Sequence, residues 1–235
     1  GGRIYKKETY ISNNKIFFGS FDGYIYALKI KTGEFLWRYK TNGHEYFPKG
    51  EVQGSPAVFG NIVIAGARDY KVYALNQETG NLIWDKSFSK GWGLCNNIHD
   101  SKLYIGCADE RKLISVNPET GKEYWTLPME FLIFGYNAYS ENMIYVGTTI
   151  GKLHAISQIS GNKVWSYETD SYLSSRFKYF KEDDSYRDDI YSIIKSNEHF
   201  LEVEHELGGI FSTPYINNNN ILFSSTNGKI YCLIN

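Results

Sequence analysis

Side chains able to carry chemistry are few and scattered in this 235-residue chain. Cys95, His99 and Cys107 are spaced to be neighbours across one hairpin. Two thiols and one imidazole fall short of the roughly four ligands of a structural zinc site. Small buried or half-buried residues are the better account of them. Asp22 and Asp69 stand where hairpin turns are expected, and no Asp, Glu and Asn cluster offers the about six to eight oxygens of a calcium cage. Glu202, Glu204 and Glu206 alternate along a short stretch. An acidic row on an outer strand repels other sheet edges, a reading preferred here to a cation site. His44, His154 and His199 have no partner visible in the sequence. Neither a G-x-x-x-x-G-K-S/T phosphate loop nor a G-x-S-x-G nucleophile elbow occurs. No catalytic residue, no cofactor and no metal is therefore expected.

Composition narrows the partners. The net charge of −1 gives no basic footprint for nucleic acid. No apolar run approaches the about 20 residues of a membrane-spanning helix, and no secretory signal opens the chain. The start at Gly1-Gly2 reads as a trimmed end. Three cysteines exclude a full disulfide framework and leave at most one internal bridge. Aromatic residues at 17% favour strands and argue against disorder.

The elements that must position these residues are announced by a repeat. "ALKIKTGEFLW" (27–37) returns as "ALNQETGNLIW" (74–84), "SVNPETGKEYW" (115–125) and "AISQISGNKVW" (155–165). The closing residues Trp37, Trp84, Trp125 and Trp165 are spaced by 47, 41 and 40 residues. A period of about 40–45 residues with several short strands marks a propeller blade. The second copy shows the four strands: "SPAV" (55–58), "NIVIAG" (61–66), "KVYAL" (71–75) and "NLIWDKSF" (81–88). Asp22-Gly23 and Asn227-Gly228 suit the tight turn between the second and third strands. Gly33, Gly80, Gly121 and Gly161 precede the fourth strand, where a left-handed turn residue is needed. The Trp falls on the outer strand and is expected to pack against the neighbouring blade.

The spacing A/S-x-x-x-x-T/S-G-x-x-x-W resembles the tryptophan-docking repeat of the quinoprotein (PQQ-like) β-propellers. "FGSFDGYIYAL" and "YVGTTIGKLHAI" also resemble that family's strand–turn–strand stretch. The resemblance implies an all-β fold, a β-propeller of four-stranded antiparallel blades forming one domain over 1–235. Its enzymes are PQQ-dependent dehydrogenases, much longer than this chain. They commonly add an adjacent-cysteine disulfide, a bound calcium ion and a catalytic Asp, and no two Cys are adjacent here. Non-catalytic members act as interaction platforms, and PQQ-like repeats also form sensor ectodomains of membrane kinases. The resemblance favours an extracytoplasmic location: periplasm, cell surface or lumen.

After Trp165 the rhythm falters. The next second strand, "ILFSS", starts 56 residues on, against 19 to 25 in the other copies. Residues 188–209 can be laid on 22–43 with Leu201 at the Trp position. The expectation is about six blades, with a degenerate fifth blade or insertion over about 170–208. The charged stretch 177–189 is expected to be a solvated, mobile loop. The sixth blade lacks an outer strand after "KIYCLI", in which Cys232 reads as a small core residue. "RIYKK" (3–7) could supply that strand, or residues 5–12 could be only the first inner strand.

Ligands of propellers usually meet the loops joining one blade's outer strand to the next blade's inner strand. Here those loops carry Tyr46, Phe47, Trp92, Phe131 and Tyr172. Exposed aromatic rings there suit a protein or peptide partner, and rings capping the central channel are the alternative.

Overall fold

The computed structural model describes residues 9–218 and 220–234, with the side chains of 94–96 set aside. The proposed closing strand "RIYKK" lies outside the described residues. The chain divides into two compact units, residues 1–126 and 127–235.

The first unit holds three antiparallel four-stranded sheets, each with its strands in chain order. They are β1 (Thr9–Ser12) to β4 (Phe35–Lys40) through β2 (Lys15–Gly19) and β3 (Tyr24–Lys29); β5 (Ala57–Phe59), β6 (Ile62–Ala67), β7 (Lys71–Asn76) and β8 (Leu82–Ser87); and β9 (Gly93–His99), β10 (Lys102–Cys107), β11 (Lys112–Val116) and β12 (Glu123–Pro128). Each is a propeller blade by its topology. Inner strand β5 lies beside both β1 and β9. The second strand of a blade is buried on both faces, which explains the unbroken apolar run "IVIAGA". Val63 and Ala65 share a core with Phe17 and Ile25 of the first sheet. Ile64 turns the other way, to Leu103 and Ile105 of the third.

One joint recurs between blades. Trp37, 7% exposed, lies flat on the turn of the next blade at Gly80. A Cβ on Gly80 would meet the indole at 2.7 Å, and the residue sits at φ +73°. The Trp37 indole Nε1 donates to the Gln77 carbonyl at 3.0 Å. Trp84 repeats both contacts on the third blade, over Gly121 and with Nε1 donating to the Pro118 carbonyl at 3.0 Å. The receiving turn is shaped locally. The side-chain oxygen of Asn76 accepts from the backbone N–H of Glu78 and Thr79, and Asn117 does the same for Glu119 and Thr120. Such short polar side chains stabilise turns by mimicking a backbone acceptor.

The second unit begins with a fourth blade, β13 (Ala138–Ser140), β14 (Met143–Gly147), β15 (Lys152–Ser157) and β16 (Lys163–Glu168). A helical segment follows: α1 (Asp170–Ser175), a 3₁₀ turn (Arg176–Lys178), α2 (Ile190–Ile193) and α3 (Asn197–Glu206). The unit ends with a three-stranded sheet, β17 (Tyr215–Asn217), β18 (Asn220–Ser224) and β19 (Ile230–Ile234).

The expected degenerate fifth blade is therefore corrected to helices, and the described residues form five sheets rather than six. Strand β17 lies directly beside β13, and Tyr145 and Leu153 share a core with Phe223 and Tyr231. Helical spacing wins because Phe200, Val203 and Leu207 enter one helical-segment core. Ser196 caps α3, its hydroxyl accepting from the His199 N–H at 3.1 Å. Leu201, assigned to the Trp position, is 54% exposed instead. The acidic row is dispersed as well: Glu204 is buried, Glu202 is exposed, and Glu206 pairs with Lys178 and Tyr179.

The helical segment is an enlarged connection between blades. In the first unit Thr41 N–H donates to the Gly23 carbonyl, and the Thr41 hydroxyl to the Gly50 carbonyl. The Val52 N–H donates to the Ser20 carbonyl. In the second, Thr169 N–H donates to Gly151, the Thr169 hydroxyl to Leu207, and Ile210 N–H to Thr148. The same anchors thus bracket residues 42–49 in one case and 170–206 in the other. The stretch 177–189 is not a free loop. Asp184 ties it down through ion pairs to Lys152 and Arg176 and a hydrogen bond from the Tyr172 hydroxyl. Among the described residues no helix is long and apolar enough to cross a membrane.

Candidate interaction surface

The loops of the first unit gather around Arg68, which follows β6. Its backbone N–H donates to the Glu51 carbonyl at 2.8 Å, which fixes the start of the side chain. Its Nε and Nη2 both donate to Gln53 Oε1, at 3.0 and 2.7 Å. The guanidinium carbon then sits 5.4 Å from the ring centre of Phe21, 5.3 Å from Phe47 and 5.0 Å from Trp92. Phe47 and Trp92 meet edge to face, with centroids 5.7 Å apart. Phe47 also touches Tyr70, which packs on His44, and Tyr46 lies against His44 while 72% exposed. A cation over aromatic faces is worth about 0.5–1 kcal/mol per contact at exposed sites. Two inter-blade loops and two hairpin turns therefore meet at one half-buried arginine.

Below this cluster Asp69 holds the 42–50 loop. One carboxylate oxygen accepts from the N–H of Asn42 at 2.9 Å and from the Tyr73 hydroxyl at 2.5 Å. Burial raises the Asp69 pKa, opposed by these hydrogen bonds, and the Tyr73 phenol is pushed up by its own burial and by Asp69. The pair anchors the loop; the neighbouring Tyr46, Phe47 and Trp92 stay half-buried or exposed.

Of the five aromatic residues singled out from the sequence, the structure groups Tyr46, Phe47 and Trp92. Phe131 and Tyr172 belong to the second unit and are buried, contrary to the expected exposure. Phe131 packs on Phe180, Tyr186 and Phe200 within the helical segment. Tyr172 is clasped by cations, with Lys152 Nζ 4.6 Å and Arg176 5.2 Å from its ring centre. Burial pulls the Lys152 ammonium down, but Asp184 and Glu168 more than offset that and leave its pKa raised.

Other expected placements change. His154 does have a partner: its Nε2 lies 2.8 Å from Glu130 Oε1, and its Nδ1 lies 2.6 Å from the Ser166 hydroxyl. Burial would raise the Glu130 pKa, yet His154 and Lys163 hold it well below the carboxylate range. Cys107 and His99 lie at opposite ends of the β9–β10 pair, opposite Gly93 and Lys102 respectively, so they are not neighbours. Burial lifts the Cys107 thiol to about 12. Cys232 is exposed rather than in the core. The sequence carried no signal for Arg68 as a centre, because its three rings come from separate loops.

The fold class raises the question of a calcium–quinone centre. The residues do not fit one. Among the described residues no three His, Cys, Asp or Glu side chains come together to hold a metal ion. Asp69 is committed to Asn42, Gly43 and Tyr73, and Asp22 to the Tyr24 N–H and Tyr26 hydroxyl.

Comparison with known proteins follows the geometry. A family model described as outer membrane protein assembly factor BamB matches residues 5–99 and again 68–178. No curated protein sequence matches the chain. Among solved structures, the computationally designed protein Ika8 is similar at a TM-score of 0.68 and 17% identity, over 96% of this chain and 57% of that one. BamB from Moraxella catarrhalis is similar at a TM-score of 0.67 and 14% identity, over 100% of this chain and 63% of that one. Quinohemoprotein alcohol dehydrogenase from Comamonas testosteroni is similar at 0.56 and 16% identity, over 68% of this chain and 34% of that one. The chain thus spans about 57–63% of the length of the first two. At these identities the likeness shows the fold: a PQQ-like β-propeller. With family matches covering most of its length, the chain belongs to the family of outer membrane protein assembly factor BamB.

Proposed function

We propose that the chain is a non-catalytic interaction platform that holds a protein or peptide partner on the loop surface around Arg68. The observation that carries this reading is the convergence of Phe21, Phe47 and Trp92 on one guanidinium, with Tyr46 standing 72% exposed beside them. Aromatic and arginine side chains are the residues most often responsible for binding energy at protein interfaces. Here they are already ordered by Gln53 and by each other, so docking immobilises few further side chains. The family supports the same direction, since its description names assembly of outer membrane proteins, a task of protein contacts outside the cytoplasm. The buried ionisable groups described above serve as loop anchors, which supports a scaffold over an enzyme.

Affinity purification with the full chain from its native extract tests this, followed by binding of the purified partner. Arg68→Glu and Trp92→Ala should each weaken binding at least tenfold while leaving the thermal melt within a few degrees. A partner held equally by wild type and both variants overturns the Arg68 surface. Catalytic turnover after addition of PQQ and calcium overturns the non-catalytic reading.

A further inference from the structure

Arg68 is held by rings and by an amide, but its charge is not answered. Nε and Nη2 share the single oxygen of Gln53. Nη1 makes no hydrogen bond among the described residues and is not sealed from solvent. No carboxylate among the described residues comes within ion-pair distance of the guanidinium. The acidic residues around it are spent elsewhere. Asp69 is turned to Asn42, Gly43 and Tyr73, and Glu110 to Lys112 and Ser89. Glu51 lends Arg68 only its backbone carbonyl.

Arg176 of the second unit shows what a ring-held arginine takes elsewhere in this chain. Its guanidinium carbon lies 5.2 Å from the ring centre of Tyr172 and 4.7 Å from that of Phe177. It has its carboxylate: Nη2 lies 2.9 Å from Asp184 Oδ1 and also donates to the carbonyls of Lys181 and Glu182. Taking a cation out of water costs free energy unless it is paired, and half-buried Arg68 leaves that cost unmet. The end of its guanidinium away from Gln53 presents two parallel N–H donors, the fork that matches a carboxylate. Clusters of arginines select phosphate. One guanidinium among three rings suits the single charge of a carboxylate instead.

We propose that Arg68 receives a side-chain carboxylate, an Asp or Glu of the partner polypeptide, while a large apolar neighbour of that residue packs on Phe47, Trp92 and Tyr46. The inference rests on the reading of this surface as a partner-binding one, and it adds the chemistry by which the partner is chosen. Gln53 and the rings fix the guanidinium before binding, so the carboxylate meets a donor pair already in place. The rings supply contact area, and the charge pair sets which residue of the partner lies at the centre.

Random heptapeptides displayed on phage through their C-termini are selected on the full chain, on Arg68→Gln and on Trp92→Ala. The fusion removes the terminal carboxylate, so only side-chain acids can answer. Pools from the wild type should enrich Asp or Glu beside a large apolar residue at least fivefold over the input, and pools from Arg68→Gln should not. A synthetic peptide of the enriched sequence should bind the wild type at least tenfold more tightly than its amide counterpart, Asn for Asp or Gln for Glu. That comparison leaves the protein unaltered, so a misfolded variant cannot mimic it. Enriched peptides that lack an acidic residue but lose binding on Trp92→Ala overturn the carboxylate and leave the interaction surface standing. Peptides held equally by the wild type and both variants overturn the carboxylate and the surface together. A wild-type pool no different from the input overturns the carboxylate as well.

Discussion

Gly80 lies beneath the ring of Trp37, so close that a single added carbon would meet the indole at 2.7 Å. Gly33 has almost the same backbone, φ +69° against +73°, yet has nothing within 4 Å of its Cβ position. The two residues separate the conformational demand of the turn from the demand of the joint. Gly33→Ala should cost about 1 kcal/mol, the strain of a left-handed L-residue. Gly80→Ala should cost about 2–3 kcal/mol more, since overpacking adds to the same strain. Urea melts of the two variants measure the difference, and equal losses would remove the joint as a stabilising contact.

The docking tryptophans and the loop tryptophan should respond differently. Trp84→Ala should lose about 3 kcal/mol, for the half-buried ring packed on Gly121 and for the hydrogen bond to Pro118. Trp92→Ala removes the edge-to-face contact with Phe47 and one face under Arg68, worth about 1–2 kcal/mol together. Chemical denaturation compares them directly.

Glu204 makes stability depend on pH. Burial on α3 raises its carboxyl from the ordinary 4.5 to about 7, with the Thr149 hydroxyl opposing. Between those values the folded state holds a proton that the unfolded state releases. Stability should therefore fall as pH rises through that window and level off above about 7. The loss is on the order of 3 kcal/mol. Glu204→Gln should flatten this slope and be the more stable protein at pH 8. A slope unchanged by the substitution, in melts at pH 5 and pH 8, would assign it to other groups.

Asp184 should govern the behaviour of the charged stretch it anchors. Asp184→Ala leaves Lys152 with Glu168 alone and strips Arg176 and the Tyr172 hydroxyl of their carboxylate. Removing one member of a buried ion pair costs about 3 kcal/mol. Trypsin should cut at Lys178, Lys181 or Arg187 several times faster in the variant than in the wild type, where the first cuts should fall elsewhere. Limited proteolysis with mass mapping reads this out.

The repeat was legible because its physics is local. Alternation, turn glycines and the spacing to tryptophan all lie within about 11 residues, and the joint needs the same residues each time. The helices were misread for a local reason as well. Leu201 to Leu207 places a glutamate at every second position and so passes for a strand, while Ser196 and the spacing of Phe200, Val203 and Leu207 carry the helical signal. The candidate site was half legible: loop aromatics could be named, but not which of them point inward. Phe131 and Tyr172 are buried by a segment whose fold was not foreseen, and the gathering of three rings on Arg68 depends on contacts across 71 residues, from Phe21 to Trp92.

The tryptophan–glycine joint also bears on how such chains change over generations. In the first unit the first and second repeats each lay a ring, Trp37 or Trp84, on a bare turn glycine of the following repeat, Gly80 or Gly121. A duplicated or deleted repeat therefore restores the same contact at the new boundary with no compensating substitution. Connections between repeats are under no such matching rule, and equivalent anchors bracket the short span 42–49 in one connection and the helical span 170–206 in another. Copy number and connector length are thus free to drift separately, the first by recombination and the second by insertion.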